Sequence, residues 1–385
     1  MLKNIRHFIN ENNFRIRNIL FDILLTIEIL VVIIDKSDFH IGFESYIFRF
    51  TFLISCLCVF LAIRKYSISD LILIITYSVI SVAVYKLSGR NELLRFTVFI
   101  AACKDLDMLK KLKLFFYESV AGSTILILLS ITGIYGRLWT SAWDDAGSIR
   151  YVFGFGDANA FHCMFMMLVL LGLYLYHEKL RWYGYILLAL SDILLWMVTR
   201  SEAAAAITML SIIGIAIFRF TNLKKHVVMY LPGFIVYGFC IWFSRYSAIN
   251  SMCMPNDFIK KVDSFLSGRI INLYWDSVNH YGSIETWHLF SGRDTMDIYF
   301  DMGWVRLFFW YGIIPAVFVL AAIVLLYIMC IVKKDAVMMV ILVCLALYTL
   351  VEAHLVSVYI GRNYILLFMG YYLLQNKKTK IGTKA

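Results

Sequence analysis

The chain has 385 residues, 61% of them hydrophobic and 16% charged, and a formal net charge of +10. This composition is typical of polytopic membrane proteins and excludes an ordinary water-soluble globular fold. The basic residues lie in short stretches between apolar runs, so insertion into a membrane accounts for the net charge, and nucleic acid is not an expected partner.

Apolar runs that can cross about 30 Å of hydrocarbon recur along the chain, and they predict an all-α fold with about twelve transmembrane helices. We expect one polytopic membrane domain over residues 1–385. The fourth run is short and fits a tilted or partial span. The predicted spans are Ile16–Ile34, Ile47–Ile63, Leu71–Tyr85, Asn91–Cys103, Phe115–Tyr135, Phe161–Tyr176, Trp182–Thr199, Ala203–Phe218, Val227–Phe243, Gly312–Val332, Ala336–Ala353 and Val358–Leu374.

The distribution of lysine and arginine predicts which loops face the cytoplasm, because these residues accumulate on that side. With the amino terminus inside, every inner segment contains Lys or Arg, whereas the outer half holds scattered arginines. This predicts that both termini lie on the cytoplasmic side. The abundance of Ile, Lys, Asn, Phe and Tyr indicates an AT-rich bacterial genome, so we expect the membrane to be a bacterial plasma membrane. The orientation depends on a hairpin at Arg200-Ser201-Glu202, since one kinked helix over residues 182–218 would move every later loop to the other side.

One long polar segment, residues 245–300, interrupts the apolar pattern and is predicted to be an extracytoplasmic loop. Its basic and acidic residues nearly balance, and it is rich in tyrosine, tryptophan and histidine. This composition favours a folded, ligand-handling surface over a disordered or lipid-binding basic tail. We expect the loop to continue into an interfacial helix that reaches about residue 311, with a break at Gly312 and Pro315 before the next span.

A glycine-punctuated turn leads from Arg150 through Asp157 and Asn159 to His162, at the start of the sixth span. The glycines allow close backbone approach, and the Asp and Asn side chains are typical helix caps. One interpretation is a loop with an N-cap and nothing more. The other is an anion or sugar site, in which Arg150 and the amides of the helix start are the donors.

Two further arginines have the chemistry of a phosphate clamp, because a guanidinium meets phosphate oxygens two at a time. Arg200 closes the hairpin between spans seven and eight. Its side chain has three interpretations: it binds an anion, it extends to the membrane interface, or it pairs with Glu202. Arg269 lies near the start of a predicted short amphipathic helix over residues 267–275. Tyr274 and Trp275 of that helix offer flat surfaces for sugar rings, unless it is an ordinary interfacial helix.

Three carboxylates, Asp294, Asp297 and Asp301, recur at helical spacing and would form one stripe on a helix. One interpretation is a solvated acidic face. The other is that one of these carboxylates acts as a general base, with Asp301 as the leading candidate and Asp297 as its neighbour. His288 and Arg293 of the same segment are additional candidates for substrate contact.

Neither a metal nor a cofactor is expected. The spacing of His280, Glu285 and His288 fits no standard metal site, and the eight cysteines show no disulfide or metal-binding framework. Asp192, inside the seventh predicted span, is expected to pair with another buried polar residue.

These elements, in this order, resemble the O-antigen polymerase and ligase superfamily, and within it the Wzy-type polysaccharide polymerases. The resemblance covers roughly residues 145–320. Two departures stand out: the His-Pro of the first family element is Asp157-Ala158 here, and Asp301 occupies the position of the ligase histidine, which favours a polymerase. The matching elements are Arg150 with Gly154 and Asp157-Ala158-Asn159, Thr199-Arg200-Ser201, Ser267-Gly268-Arg269 with Trp275, and Asp301 with Gly312.

The resemblance implies a GT-C-like membrane glycosyltransferase that joins oligosaccharide repeat units carried on polyprenyl diphosphate into a surface polysaccharide. It implies no metal and no nucleotide sugar, and it makes membrane lipid, a flippase and a chain-length regulator the expected partners. Arg200, Arg269, Asp297 and Asp301 would be the catalytic residues. The alternatives are an O-antigen-type ligase and, in a different class, a lipid-linked oligosaccharide flippase or other transporter, which usually needs polar residues at mid-membrane.

Overall fold

The structure is a computed structural model that describes residues 2–39, 42–141, 149–252, 256–275, 281–296 and 298–374. The described chain is mostly helical, with one short antiparallel strand pair, β1 (Trp139–Ser141) and β2 (Ile149–Tyr151). The helices are α1 (Leu2–Asp35), α2 (Glu44–Ala62), α3 (Ile68–Ser88), α4 (Glu92–Ala102), α5 (Met108–Ile131), α6 (Ala158–Tyr176), α7 (Trp182–Thr199), α8 (Glu202–Phe220), α9 (Leu231–Asn250), α10 (Asp257–Phe265), α11 (Asn272–Trp275), α12 (Gly303–Tyr311), α13 (Ile313–Lys333), α14 (Ala336–Val351) and α15 (Ile365–Leu373).

Within the described ranges, eight helices are long and apolar enough to cross a membrane: α2, α3, α5, α6, α7, α8, α9 and α13. The prediction of an all-α, multi-pass membrane protein is therefore confirmed. The count of about twelve spans stays a prediction. The other four predicted spans fall on α1, which carries charged residues along its length, and on α4, α14 and α15, which have 11, 16 and 9 residues.

The core of the bundle lies around α14, which packs against α8, α9 and α13. Its side chains are buried on nearly every face, because its residues are almost uniformly apolar and helices surround it. Several helix ends carry the caps that their sequences predict. In α3, for example, the Ser67 hydroxyl and the Asp70 carboxylate form a reciprocal capping box.

The expected interfacial helix proves to be a core element. All nine residues of α12 are buried, and its Trp304 and Trp310 are among the largest fully buried side chains. Burying the large apolar side chains of α12 inside the bundle stabilises the fold more than leaving them at its surface would. The predicted break is confirmed: Gly312 has φ +92, and a Cβ there would lie 2.5 Å from the Phe290 Cα atom.

The described parts of the 245–300 segment are folded. The segment begins within α9, which runs seven residues beyond its predicted end at Phe243, and it continues through α10 and α11. Residues from these elements share a small hydrophobic core with α12: Ala248, Ile259, Ile270, Leu273, Met302 and Val305. The apolar residues of the segment thus fold back onto the bundle.

Two local predictions for this segment are wrong. A continuous helix over residues 267–275 does not form, because Ser267 and Gly268 take positive φ values of 55° and 77°, and α11 begins only at Asn272. The carboxylate stripe is also absent from the described residues. Asp294 lies in a 3-10 turn and Asp301 in a bend before α12, so the two do not share a helix. Asp297 lies outside the described residues.

Candidate functional site

Arg269 connects the polar segment to the end of α14. Its Nη2 atom donates to Glu352 Oε1 at 2.7 Å, and its Nε atom donates to the Val351 carbonyl oxygen at 2.7 Å. Val351 is the last residue of α14, and carbonyls in a final helical turn lack a partner within the helix. Asp301 is a second acidic neighbour, with Oδ2 3.6 Å from Arg269 Nε. One guanidinium therefore contacts two carboxylates.

The two carboxylates differ in exposure. The side chains of Arg269 and Glu352 are each 16% exposed, whereas that of Asp301 is 58% exposed. Glu352 follows the last residue of α14. Burial raises the pKa of its carboxyl, the charge of Asp301 raises it further, and Arg269 opposes both effects. Glu352 is therefore placed to hold Arg269, and Asp301 is placed to meet a solvent-borne group.

More charge lies close to this cluster than the sequence motifs indicate. Arg306 of α12 donates to the Phe300 carbonyl oxygen, and its guanidinium carbon lies 4.8 Å from the Trp310 ring centroid. The sequence motifs did not include Arg306. An ionisable residue within an apolar stretch such as 303–311 often marks a functional site, so its position alone could have identified it.

Beyond α14, Cys163 of α6 lies between two residues that no motif included. Its Sγ is 3.6 Å from His354 Nδ1 and 3.8 Å from Arg362 Nη2. His354 is fully buried, and burial, with the charge of Arg362, lowers the pKa of its ring well below the ordinary value. Its Nε2 has no hydrogen-bond partner among the described residues.

A second cluster gathers around Arg150, on β2. Its Nε donates to the Thr199 carbonyl oxygen at 2.8 Å, and its Nη2 donates to Asn159 Oδ1 and to the Arg200 carbonyl oxygen, both at 3.2 Å. Since α7 ends at Thr199, those carbonyls lack helical partners, and the guanidinium satisfies them. Arg150 therefore joins the end of α7 to the start of α6, as the predicted grouping of Arg150 with Asn159 requires.

The neighbours of Arg150 divide into structural and accessible groups. The Asp157 carboxylate accepts a hydrogen bond from the backbone N–H of Asn159 at 2.6 Å, which confirms the predicted N-cap. His162 is fully buried, with Nδ1 2.9 Å from Thr199 Oγ1 and Nε2 3.0 Å from Asp192 Oδ1. The expected buried partner of Asp192 is thus His162, which joins α6 to α7.

Arg200 is exposed and adopts a left-handed conformation with φ 53°. Its side chain forms no hydrogen bond or ion pair with any described residue, Glu202 included. No hydrogen bond or ion pair within the described ranges joins Arg150 or Arg200 to Arg269. The first two arginines therefore form a second cluster. Helix α6 contributes Asn159 to this cluster and also carries Cys163, which contacts His354 and Arg362.

The other predicted site residues are not in either cluster. Tyr274 is partly buried on α11, whereas the Trp275 side chain and His280 lie outside the described part of the chain. His288 and Arg293 are exposed on the polar segment. Among the residues that the structure describes, no three or more His, Cys, Asp or Glu are grouped as metal ligands would be.

An apolar groove of about 530 Å³ lies between α5, α6 and α7, and we call it the α5–α7 groove. Phe161 and Val198 line it, close in sequence to the Arg150 partners Asn159 and Thr199. The groove therefore extends from the Arg150 cluster along the bundle. Its other lining residues include Val120, Ile127, Phe165, Leu168 and Leu195.

Comparison of the chain with models of protein families, with curated proteins and with solved structures finds no match. The functional conclusion therefore depends on the chemistry of the two arginine clusters and the groove.

Proposed function

We propose that this protein polymerises polyprenyl-diphosphate-linked oligosaccharide repeat units at the outer face of the plasma membrane, by glycosyl transfer without a metal. The observation that carries the proposal is Arg269, a cation in contact with both the largely buried Glu352 and the exposed Asp301. A fixed cation beside an accessible carboxylate is what transfer from a diphosphate to a hydroxyl requires.

The reaction assigns a role to each group of the cluster. The acceptor hydroxyl oxygen attacks the anomeric carbon, and the bond from that carbon to the diphosphate oxygen breaks. The electron pair leaves with the diphosphate, where Arg269 stabilises the new negative charge. The hydroxyl proton passes to Asp301, whose side chain is 58% exposed and accessible to an acceptor. Glu352 keeps the guanidinium in place.

The Arg150 cluster and the α5–α7 groove supply the lipid part of the proposed site. Arg200 has no side-chain partner among the described residues and stands exposed at the end of α7, which suits contact with a phosphate. The neighbouring groove is apolar and is lined along α6 from Phe161 to Leu168, which suits part of an isoprenoid chain. The two features together match a lipid with an anionic head.

The topology of the proposal has about twelve spans, both termini in the cytoplasm and the 245–300 segment outside. In this arrangement both arginine clusters meet substrate on the outer leaflet. The long segment, which carries Arg269 and shares a small core with α12, then lies on the same outer side.

One buried ion pair favours transport as a second candidate function. Arg95 of α4 lies 3.3 Å from Glu28 of α1, and both side chains are at most 4% exposed. Buried charges of this kind often line ion or substrate pathways. Here, however, Thr51 also donates to Glu28 and Arg95 also donates to the Val358 carbonyl oxygen, so the pair is fixed by several helices.

Deletion of the gene, followed by analysis of the surface polysaccharide and its lipid-linked precursors, tests the proposal. Loss of a polymerase leaves single repeat units on lipid at the outer leaflet. Loss of a flippase traps those units on the inner leaflet, and loss of a ligase leaves long chains that are not attached to their final acceptor. Either of the last two results contradicts polymerisation.

A further inference from the structure

Arg17 of α1 is a buried cation whose guanidinium forms no hydrogen bond or ion pair with a described residue, and the contact of its guanidinium carbon with the Phe14 ring, 5.6 Å from the centroid, does not neutralise its charge. The residue is 1% exposed, and none of its three guanidinium nitrogens has a hydrogen-bond partner among the described residues. A buried charge that lacks a counter-ion strongly destabilises a fold, so such groups are normally paired. The unpaired donors of Arg17 therefore point to an anion that is not part of the described chain.

The guanidinium lines a pocket that contains two more cations. This pocket has a volume of about 230 Å³, and Arg64 and Lys65 line it together with Arg17. It is smaller than the roughly 300 Å³ at which sites for drug-sized ligands begin, so it suits a small charged group. The rest of the lining is Asn13, Phe14, Phe60, Leu61 and Ile63.

The groups around the pocket favour a negative ligand. Asp105 interacts electrostatically with both Arg17 and Lys65, yet it forms no hydrogen bond or ion pair with either. Lys65 Nζ lies 4.8 Å from the centroid of the Phe14 ring, which is contact with an aromatic face and not charge neutralisation. Three cations thus outnumber one acid at this place.

The pocket is far from the Arg269 cluster. Arg17 precedes Asp35 by 18 residues of α1, which corresponds to about 27 Å along a helix. Asp35 accepts a hydrogen bond from the Tyr359 hydroxyl at 2.6 Å, and the nearby Arg362 interacts electrostatically with Glu352 of the Arg269 cluster. The Arg17 pocket therefore lies toward the opposite end of α1 from the residues that the proposed reaction uses.

We propose that the Arg17 pocket binds a phosphate group. A guanidinium donates two parallel hydrogen bonds to phosphate oxygens, and Arg64 and Lys65 complete the neutralisation of a singly or doubly charged group. The headgroup of a membrane phospholipid and free inorganic phosphate share this chemistry. The site is independent of the glycosyl-transfer proposal, since it uses none of the same residues.

Lipid binding to the purified full-length protein, followed by native mass spectrometry, tests the site. The probes are phosphatidylglycerol, a diacylglycerol of the same chains without phosphate, and inorganic phosphate as competitor. We expect Arg17→Gln to weaken phosphatidylglycerol binding about tenfold or more, because charged hydrogen bonds are lost. The matched control is Arg15→Gln, two residues earlier on α1, exposed and outside the pocket lining, which should bind like the wild type.

The competitor identifies the source of the phosphate. Displacement of the lipid by millimolar inorganic phosphate assigns the pocket to free phosphate, and retention of the lipid assigns it to the headgroup. The paired substitution Arg64→Gln with Lys65→Gln, at less buried positions, repeats the test if Arg17→Gln does not fold. Equal binding by Arg17→Gln, by the paired variant and by Arg15→Gln, or equal binding of diacylglycerol, overturns the proposal.

Discussion

Arg269 and Glu352 are 83 residues apart in the chain, and their side chains meet at 2.7 Å. The contact joins the turn before α11 to the end of α14, and both side chains are only 16% exposed. Because Arg269 also donates to the Val351 carbonyl oxygen, the guanidinium has a fixed direction. A cation fixed in this way can stabilise charge in a transition state without reorganising.

Arg269→Lys is expected to reduce polymer formation by about 10²-fold or more, because a lysine keeps the charge but loses the planar set of donors. The measurement is polysaccharide yield per unit of membrane-inserted protein. Arg245→Lys is the control, because Arg245 is exposed on α9 and forms no ion pair with a described residue. Normal polymer from Arg269→Lys would reduce Arg269 to a structural residue.

Arg200→Lys should also lower activity severely if Arg200 holds phosphate, since its side chain has no structural partner among the described residues. The same absence of partners means that the substitution should leave protein levels and thermal stability unchanged. Polymer yield and protein level are measured on the same membranes. Unchanged yield would mean that Arg200 simply extends to the interface.

Asp301→Asn should lower turnover by roughly 10²–10⁴-fold, because the amide keeps the shape but cannot accept the proton. Lipid-linked single repeats should accumulate at normal protein levels, which chromatography of the lipid extract measures. Asp294→Asn is the control, since Asp294 is exposed in the same segment but stands in a separate turn. If Asp301→Asn retains activity while Asp297→Asn or His288→Ala does not, the base is another residue of the segment.

Protonation of Glu352 should produce an acidic limb in the pH–rate profile, which is a fall in rate at low pH. Burial and the charge of Asp301 raise the pKa of Glu352 above its ordinary value of 4.5. As the pH falls through that raised pKa, Glu352 takes up a proton and its ion pair with Arg269 weakens, so turnover should decline at a pH above 4.5. The pH–rate profile of Glu352→Gln should lack this limb and start from a lower rate. An unchanged limb in that variant would assign it to a different group.

The orientation predicts which engineered cysteines an impermeant thiol reagent reaches on intact cells. In a cysteine-free variant, Glu285→Cys should react and Lys224→Cys should not, and both positions are exposed in the structure. Permeabilised cells are the control, since both cysteines should then react. Labelling of Lys224→Cys on intact cells would reverse the topology.

The helices were predicted better than the site. The seventh predicted span has the same bounds as α7, because Arg181 and Arg200 flank an uninterrupted apolar run. Apolar length alone predicts such a helix. Apolar pattern did not predict the burial of α12, because a short aromatic-rich helix has the same sequence pattern at a membrane interface as in a protein core.

The site residues were predicted only where motif spacing was local. Arg150 and Asn159 are nine residues apart, and their contact follows from one turn. No sequence pattern pairs Glu352 with Arg269 across 83 residues. Long-range side-chain contacts depend on helix packing, which local periodicity does not contain. Cys163 was missed for the same reason.

Elongation by the purified protein shows whether this chain joins repeat units. The lipid-linked repeat units that accumulate in the deletion strain are extracted and incubated with the full-length protein in liposomes, without divalent cations, and the products are sized. We expect a ladder of multiples of one repeat unit from the wild type and single units alone from Asp301→Asn. Single units that remain unextended by a folded wild-type protein, or are only moved across the bilayer, would contradict this expectation.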